Sequence, residues 1–466
     1  MKRYQQLAHT LCQRIEQHEF QPGSLLPSIR VLGQQYQLSK NTVIHALSEL
    51  EHNGLIQAQP RQGFRVCAPQ QASPTIEPRA VSLGATAFSV LGAASRPGVL
   101  ALGSADPDSR WPAVSWLYQQ LARTARQRSQ NPQRSSHYSA PAGDPSLRNA
   151  LADHLNATAF ACNSEQIIIT QGAQEALSLS LRSVAEPGDI IAVESPCYYG
   201  TLQCVEALGL KVLELPGDPV SGTNLSALEQ ALTRWPVKAL LTNPTFNNPL
   251  GFSLDLSSRK QLIALANQWD IAIIEDDVFA ELGFQGQRAT PLKALDSEQR
   301  VIHCGSFSKS LDADLRLGWV LPGRYYEQLN YLKYITSISC PGLAQQAVAE
   351  LLKGRRYRRH LSQLARAYGE RATMLAEDVR QHWPAQVSFI PPQGGMVQWF
   401  ELPKQCNSDQ LFQQALQEGI GTSPGNLFCT DQRFGHHLRL CFANYRREDA
   451  QLSAIIRLGE MIENAY

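Results

Sequence analysis

The chain has 466 residues, 43% hydrophobic and 18% charged, with a formal net charge of +1 at pH 7. That composition suits an ordinary globular protein with a large buried core and two to four domains, and its balance excludes a chain that is strongly basic throughout. The charge is uneven: residues 1–68 hold seven Lys and Arg against four Glu, a net +3 that leaves −2 for the remainder, so nucleic acid is expected at one end only.

From Tyr4 to His18, Leu7, Leu11 and Ile15 recur every four positions, the stripe of a helix packing one face on a core. Gln21-Pro22-Gly23 turns the chain, and Ser28 caps a second helix carrying Ile29, Leu32 and Tyr36. Ser39 caps a third helix, Lys40 to Asn53, with Val43, Leu47 and Leu50 inward and Gly54 as its stop. Leu55 to Gln59 and Gly63 to Val66 read as two short strands around Pro60-Arg61-Gln62, a wing. Two helices joined by a tight turn, the second opening on polar and basic residues, suit a helix-turn-helix that brings side chains to base edges.

The stretches Leu26-Pro27-Ser28-Ile29-Arg30, Ser39-Lys40-Asn41-Thr42-Val43, Leu50-Glu51-His52-Asn53-Gly54-Leu55-Ile56 and Gln62-Gly63-Phe64 carry a resemblance to the winged helix-turn-helix of the GntR family over residues 1–67. It implies a mostly α-helical domain that binds a double-stranded DNA operator through Arg30, Ser39, Lys40, Asn41 and Thr42, with Arg61, Gln62 and Gly63 at the wing. Residues 68–80, with Pro69, Pro74 and Pro78 and little to bury, read as a linker whose outer limit is near residue 104. The body is then 81–466.

Past Asp106-Pro107-Asp108, a loop leading into Trp111-Pro112, helix and strand alternate, which argues an α/β domain with a largely parallel sheet. A helix carries Leu147, Leu151 and Leu155; Glu165 to Thr170 reads as a buried strand, and Gln171-Gly172-Ala173-Gln174 opens a helix directly after it. Glycine there lets a phosphate approach free N–H groups. Ile190 to Glu194 ends at Tyr198, an aromatic suited either to plain packing or to one face of a pyridine ring. Val237 to Leu241 leads to Asn248, and Ile271 to Ile274 delivers Glu275-Asp276-Asp277 at the edge where open α/β sheets hold ligands.

Val301 to Cys304 then runs into Gly305-Ser306-Phe307-Ser308-Lys309, with Arg316 seven residues beyond the lysine. An amine able to condense with an aldehyde, flanked by hydroxyls and a forked cation that can hold a phosphate dianion, fits a Schiff-base lysine for pyridoxal 5'-phosphate. A carboxylate such as Asp276 would keep the pyridine nitrogen protonated.

In this order the motifs resemble the fold-type I aminotransferases over about residues 105–460. The resemblance implies an α/β large domain and a smaller α+β domain, the latter mainly 340–466. It implies Lys309 as the cofactor-bonding lysine, Asp276 at the ring nitrogen, Asn248 at the ring hydroxyl and Tyr198 stacking. Gly172, Ala173, Gln174, Ser306, Ser308 and Arg316 would form the phosphate cup, with Tyr138 supplied by a neighbouring subunit of a homodimer, and Arg439 would grip a carboxylate. Phe279 stands where many relatives have a tyrosine, and Ala313-Asp314 where the loop usually reads Pro-Gly, an extra carboxylate that opposes the phosphate unless it turns to Arg316 or solvent.

Both domains in one chain resemble the MocR/GabR subfamily of GntR regulators. The function implied is a cofactor-dependent transcription regulator that senses a small amine, an amino acid or the cofactor itself; a working aminotransferase with a fused DNA-binding domain is the alternative. Ten scattered cysteines without a C-x-x-C pair point to thiols in a reducing cytoplasm rather than a zinc site, and no apolar run suits a signal peptide or membrane span. Arg355 to Arg359 reads as a solvated face opening a long helix that ends near Val379, and Gln393 to Met396 as a turn into a strand, Val397 to Leu402.

Overall fold

A computed structural model describes residues 24–36, 38–52, 56–59, 63–66, 76–83 and 96–465 except 132–137 and 287, together with isolated positions before residue 21 and between 88 and 92. Two compact units divide the chain, Met1–Ile76 and Glu77–Tyr466. The proposed wing residues Arg61 and Gln62, the stop at Gly54 and much of the first helix lie outside the described residues.

In the first unit, Leu7, Leu11, Leu32, Val43, Ala46, Leu47, Leu50 and Ile56 form one small buried core. The helices Ile29–Gln35 and Lys40–His52 are set by their caps: Ser28 accepts from the Val31 N–H, and Ser39 Oγ from the Thr42 N–H at 3.3 Å. Strands Ile56–Gln59 and Gly63–Val66 pair antiparallel, and the Leu26 N–H donates to the Phe64 carbonyl at 2.8 Å, tying the segment before the helices to the wing.

The second unit is built on a nine-stranded sheet. Its order is Arg79–Ala80, Lys211–Asp218, Ile190–Ser195, Val237–Thr242, Ala272–Asp276, Val301–Ser306, Gly318–Leu321 and Ile168–Thr170, with Gly222–Thr223 beside Lys211–Asp218. The four neighbours from Lys211–Asp218 to Ala272–Asp276, and Val301–Ser306 after them, run parallel; Gly318–Leu321 is antiparallel to both its neighbours. Their near-continuous burial is what helices on both faces require. Arg79 and Ala80, read as the end of the linker, form an antiparallel edge strand, so the chain joins the sheet before residue 81. Glu165 and Gln166, read as strand, lie in a short 3-10 turn because Asn163 and Gln166 cap each other; the strand begins at Ile168.

The smaller domain packs the helices Arg356–His382 and Asp449–Glu463 against a three-stranded antiparallel sheet, Val397–Glu401, His437–Cys441 and Ser423–Pro424. Leu100–Ala101 pairs with Ile420–Gly421 and Leu102 joins this core, so a segment early in the chain belongs to the late domain.

Candidate functional site

Strand carboxyl ends and the small domain enclose a cavity of about 260 Å³, lined among others by Asp106, Ala173, Gln174, Tyr198, Asn248, Asp276, Ser306, Ser308, Lys309, Arg316 and Arg439. Lys309 leaves the strand Val301–Ser306 in a tight turn and is half-buried, its Nζ donating to the Ala105 carbonyl at 2.8 Å. Burial pushes its pKa down and the nearby Arg439 and Arg316 charges add to this, against Asp106, so the amine gives up its proton more readily than a free lysine.

Asp276 ends its strand almost fully buried. Burial pushes its carboxyl up to about 7, Asp277 adding to the rise, while the Val278 N–H at 3.3 Å and the Lys309 charge pull it back. Beside it the Asn243–Asn248 turn is held by the buried Glu194, which accepts from the Thr223 hydroxyl at 2.6 Å, the Asn243 N–H at 3.1 Å and Asn247 Nδ2 at 3.2 Å. Asn243 in turn donates to the Asp276 carbonyl and accepts from the Asn248 N–H, locking one wall of the cavity.

At the other end, Gly172 takes φ 79°, and the helix Ala173–Val184 behind it has no side-chain cap. That φ favours glycine, and a Cβ at Gly172 would sit 2.7 Å from Arg316 Nη2 and oblige the guanidinium to shift. Arg316 is exposed and donates to the Gln171 carbonyl at 3.1 Å; Ser306 and Ser308 bond each other at 3.0 Å. Gln174 turns its amide toward the Gly200 carbonyl. Asp314 is exposed, its N–H bonded to Asp312, so this carboxylate faces solvent and is not among the cavity-lining residues. Phe279 is buried in the cavity wall, where no hydroxyl is offered.

Arg439 is 1% exposed. It donates to Asn248 Oδ1 at 3.0 Å, to Ser423 Oγ at 3.2 Å and to the Gly103 carbonyl, all neutral oxygens, and its Nε is buried without a partner. A buried cation so placed is suited to a carboxylate. Tyr138 is 80% exposed and does not line the cavity within one chain. Residues that the sequence did not single out include Tyr199, Asn243 and the segment Ser104-Ala105-Asp106. That segment is fixed by Asp108, a buried carboxylate taking Arg371 Nη2 at 2.9 Å, Arg110 Nε at 3.0 Å and Arg446 Nη2. Burial opposes its charge, yet the three guanidiniums hold it well below the usual carboxylate range.

These residues fit pyridoxal phosphate. The open helix start, Gly172 and Arg316 suit a dianion, and a ring nitrogen cation would return the raised Asp276 carboxyl to its ionised form.

On the first unit, Arg30, Ser39, Lys40, Asn41 and Gly63 are exposed and Thr42 is half-buried. Ser39 and Thr42 bond each other through their hydroxyls at 2.9 Å, so both serve the helix start.

A mixed sheet of this order, with a lysine in the turn after one central strand and an aspartate ending its neighbour, defines a fold-type I, pyridoxal-phosphate-dependent aminotransferase domain. The chain belongs to the aminotransferase class I and II family, matched over residues 98–453, and carries at residues 3–66 a domain of the gntR family of bacterial regulatory proteins, the MocR-like combination. It is 34% identical over 473 residues to the HTH-type transcriptional regulator YjiR of Escherichia coli, with all of both chains covered, and 36% identical over 470 residues to YdcR of the same organism, with 99% of each covered. Among solved structures it is similar to the α-aminoadipate aminotransferase LysN of Thermus thermophilus, complexed with N-(5'-phosphopyridoxyl)-L-leucine: 28% identity, TM-score 0.72, 81% of this chain and 97% of that one.

Proposed function

We propose that this protein is a pyridoxal-phosphate-dependent transcription regulator that acts in the cytoplasm as a homodimer, binds an operator through its first unit and senses an amine, an amino acid or the cofactor through its second. The observation that carries the sensing half is the meeting of Lys309, Asp276, Arg316 and Arg439 around one cavity. The DNA half rests on the exposed Arg30, Lys40 and Asn41 at the two helix starts. We also take the connection between the units as a proline-bearing linker over 68–80 whose last two residues join the edge strand.

Pyridoxal phosphate, when bound, supplies an aldehyde and an electron-withdrawing ring. In our reading Lys309, its ammonium disfavoured by burial, is the amine that bonds the aldehyde, and Asp276 holds a proton at the ring nitrogen. Asn248 would serve the ring hydroxyl, Tyr198 would stack on the ring, and Ser306, Ser308, Arg316 and the first N–H groups after Gly172 would hold the phosphate. Arg439 receives an effector carboxylate. Tyr138, exposed on one chain, completes the phosphate cup of the partner subunit.

The test is Lys309→Ala. Wild-type protein loaded with cofactor should show a visible absorption band that the variant lacks, while circular dichroism and operator binding persist. A colourless wild type after incubation with excess cofactor would overturn the proposal. The same side chains suit turnover, so steady-state transamination with a panel of amino donors separates a sensor from a working aminotransferase.

A further inference from the structure

The cavity holds one charge that neither the cofactor nor an amino-acid carboxylate uses. Arg316 is matched by phosphate, Asp276 by the ring nitrogen, Arg439 by a carboxylate and Lys309 by the cofactor aldehyde, which leaves the carboxylate of Asp106 at the cavity wall. Among the described residues Asp106 is engaged by a hydroxyl, Ser104 Oγ at 2.5 Å, and by no ion pair. Its position is built rather than incidental: Asn444 Nδ2 donates to its carbonyl at 3.0 Å, and Asp108 two residues on is fastened by Arg371 and Arg446. It is exposed and lines the same cavity as Lys309 and Tyr199, the space where an effector must lie.

Arg439 grips the carbonyl of Gly103, three residues before Asp106. The two backbones at Gly103 and Asp106 are therefore at most about 10 Å apart, and Arg439 and Asp106 both line the cavity. An apolar side chain would offer Asp106 no partner, and an acidic one would meet like charge.

We propose that Asp106 selects an effector with a second cationic group, an α-amino acid whose carboxylate binds Arg439 and whose distal ammonium or guanidinium binds Asp106. This rests on the effector reading above.

The experiment titrates cofactor-loaded wild type and Asp106→Asn with L-lysine, L-ornithine, L-norleucine and L-glutamate, following the cofactor absorption band. L-Norleucine matches lysine in length without its charge, and the ratio of affinities within one protein cancels any general effect on fold or loading. Wild type should bind lysine or ornithine at least ten-fold more tightly than norleucine, and Asp106→Asn should bring that ratio close to one. A wild-type ratio near one with all amino acids bound would overturn the role of Asp106 alone, as would a preference that survives in Asp106→Asn. A loaded wild type whose band responds to no amino acid would overturn the amino-acid effector reading and this inference with it.

Discussion

Two arginines stand at opposite ends of one cavity and are built in opposite ways. Arg316 is exposed, in the left-handed region at φ 46°, and donates to a single backbone carbonyl. Arg439 is buried on a strand, with three neutral acceptors and an unpartnered Nε. The first is free to follow a dianion that brings its own charge. The second has had its desolvation offset by the fold, so it is positioned before any ligand arrives and costs little further ordering when one binds. The contrast teaches that ligand affinity and structural integrity are separable at one end of the cavity and joined at the other.

Arg439→Ala should break the contrast most visibly. It removes the effector response and leaves Asn248 Oδ1 without its donor, while Ser423 Oγ still donates to the Gly103 carbonyl, a destabilisation of about 2 kcal/mol for the one orphaned acceptor. Urea unfolding of the cofactor-free protein measures it; an unchanged midpoint would mean the arginine is not structural. Asp276→Asn comes next. The folded carboxyl is pushed up to about 7 against an ordinary 3.8, so between those values the folded chain keeps a proton that the unfolded chain has released, and stability falls as pH rises. Cofactor-free Asp276→Asn should lack that fall and exceed wild type above pH 7 by up to about 4 kcal/mol, while binding cofactor more weakly. Melting curves from pH 4 to 8 decide it.

Arg316→Ala should sharpen the comparison from the other side. Loss of one charge-assisted contact lowers cofactor affinity about 30-fold, with cofactor-free stability unchanged within about 0.5 kcal/mol. A spectroscopic cofactor titration paired with a melt tests both halves. Smallest of all, Lys40→Ala on the DNA-binding unit should lower the salt slope of operator affinity by about 1, with weaker binding to all sequences alike; an unchanged slope removes Lys40 from the phosphate contacts.

Much of the cavity was legible because each motif sits at the carboxyl end of a buried strand, where hydrophobic runs give way to polar residues. Lys309, Asp276 and Asn248 follow such runs directly, and the sheet brings them together. Asp106 and Tyr199 were not, since neither has a motif of its own. Asp106 reaches the cavity only because Asp108 is caught by Arg371 and Arg446, more than 260 residues along the chain. The opening of the helix Pro112–Ser129 was equally silent, its cap position held by Trp111 without a side-chain hydrogen bond. Tyr138 was named through a neighbouring subunit, and a single chain shows it only as an exposed aromatic.

The carbonyl that holds Lys309 belongs to a short strap, Gly103–Asp108, whose two ends are grasped by arginines of the small domain. The lysine is thereby moored to the domain opposite its own strand. A molecule that draws Nζ away from Ala105 would part that lysine from a strap which Arg439 and Arg371 hold to the small domain.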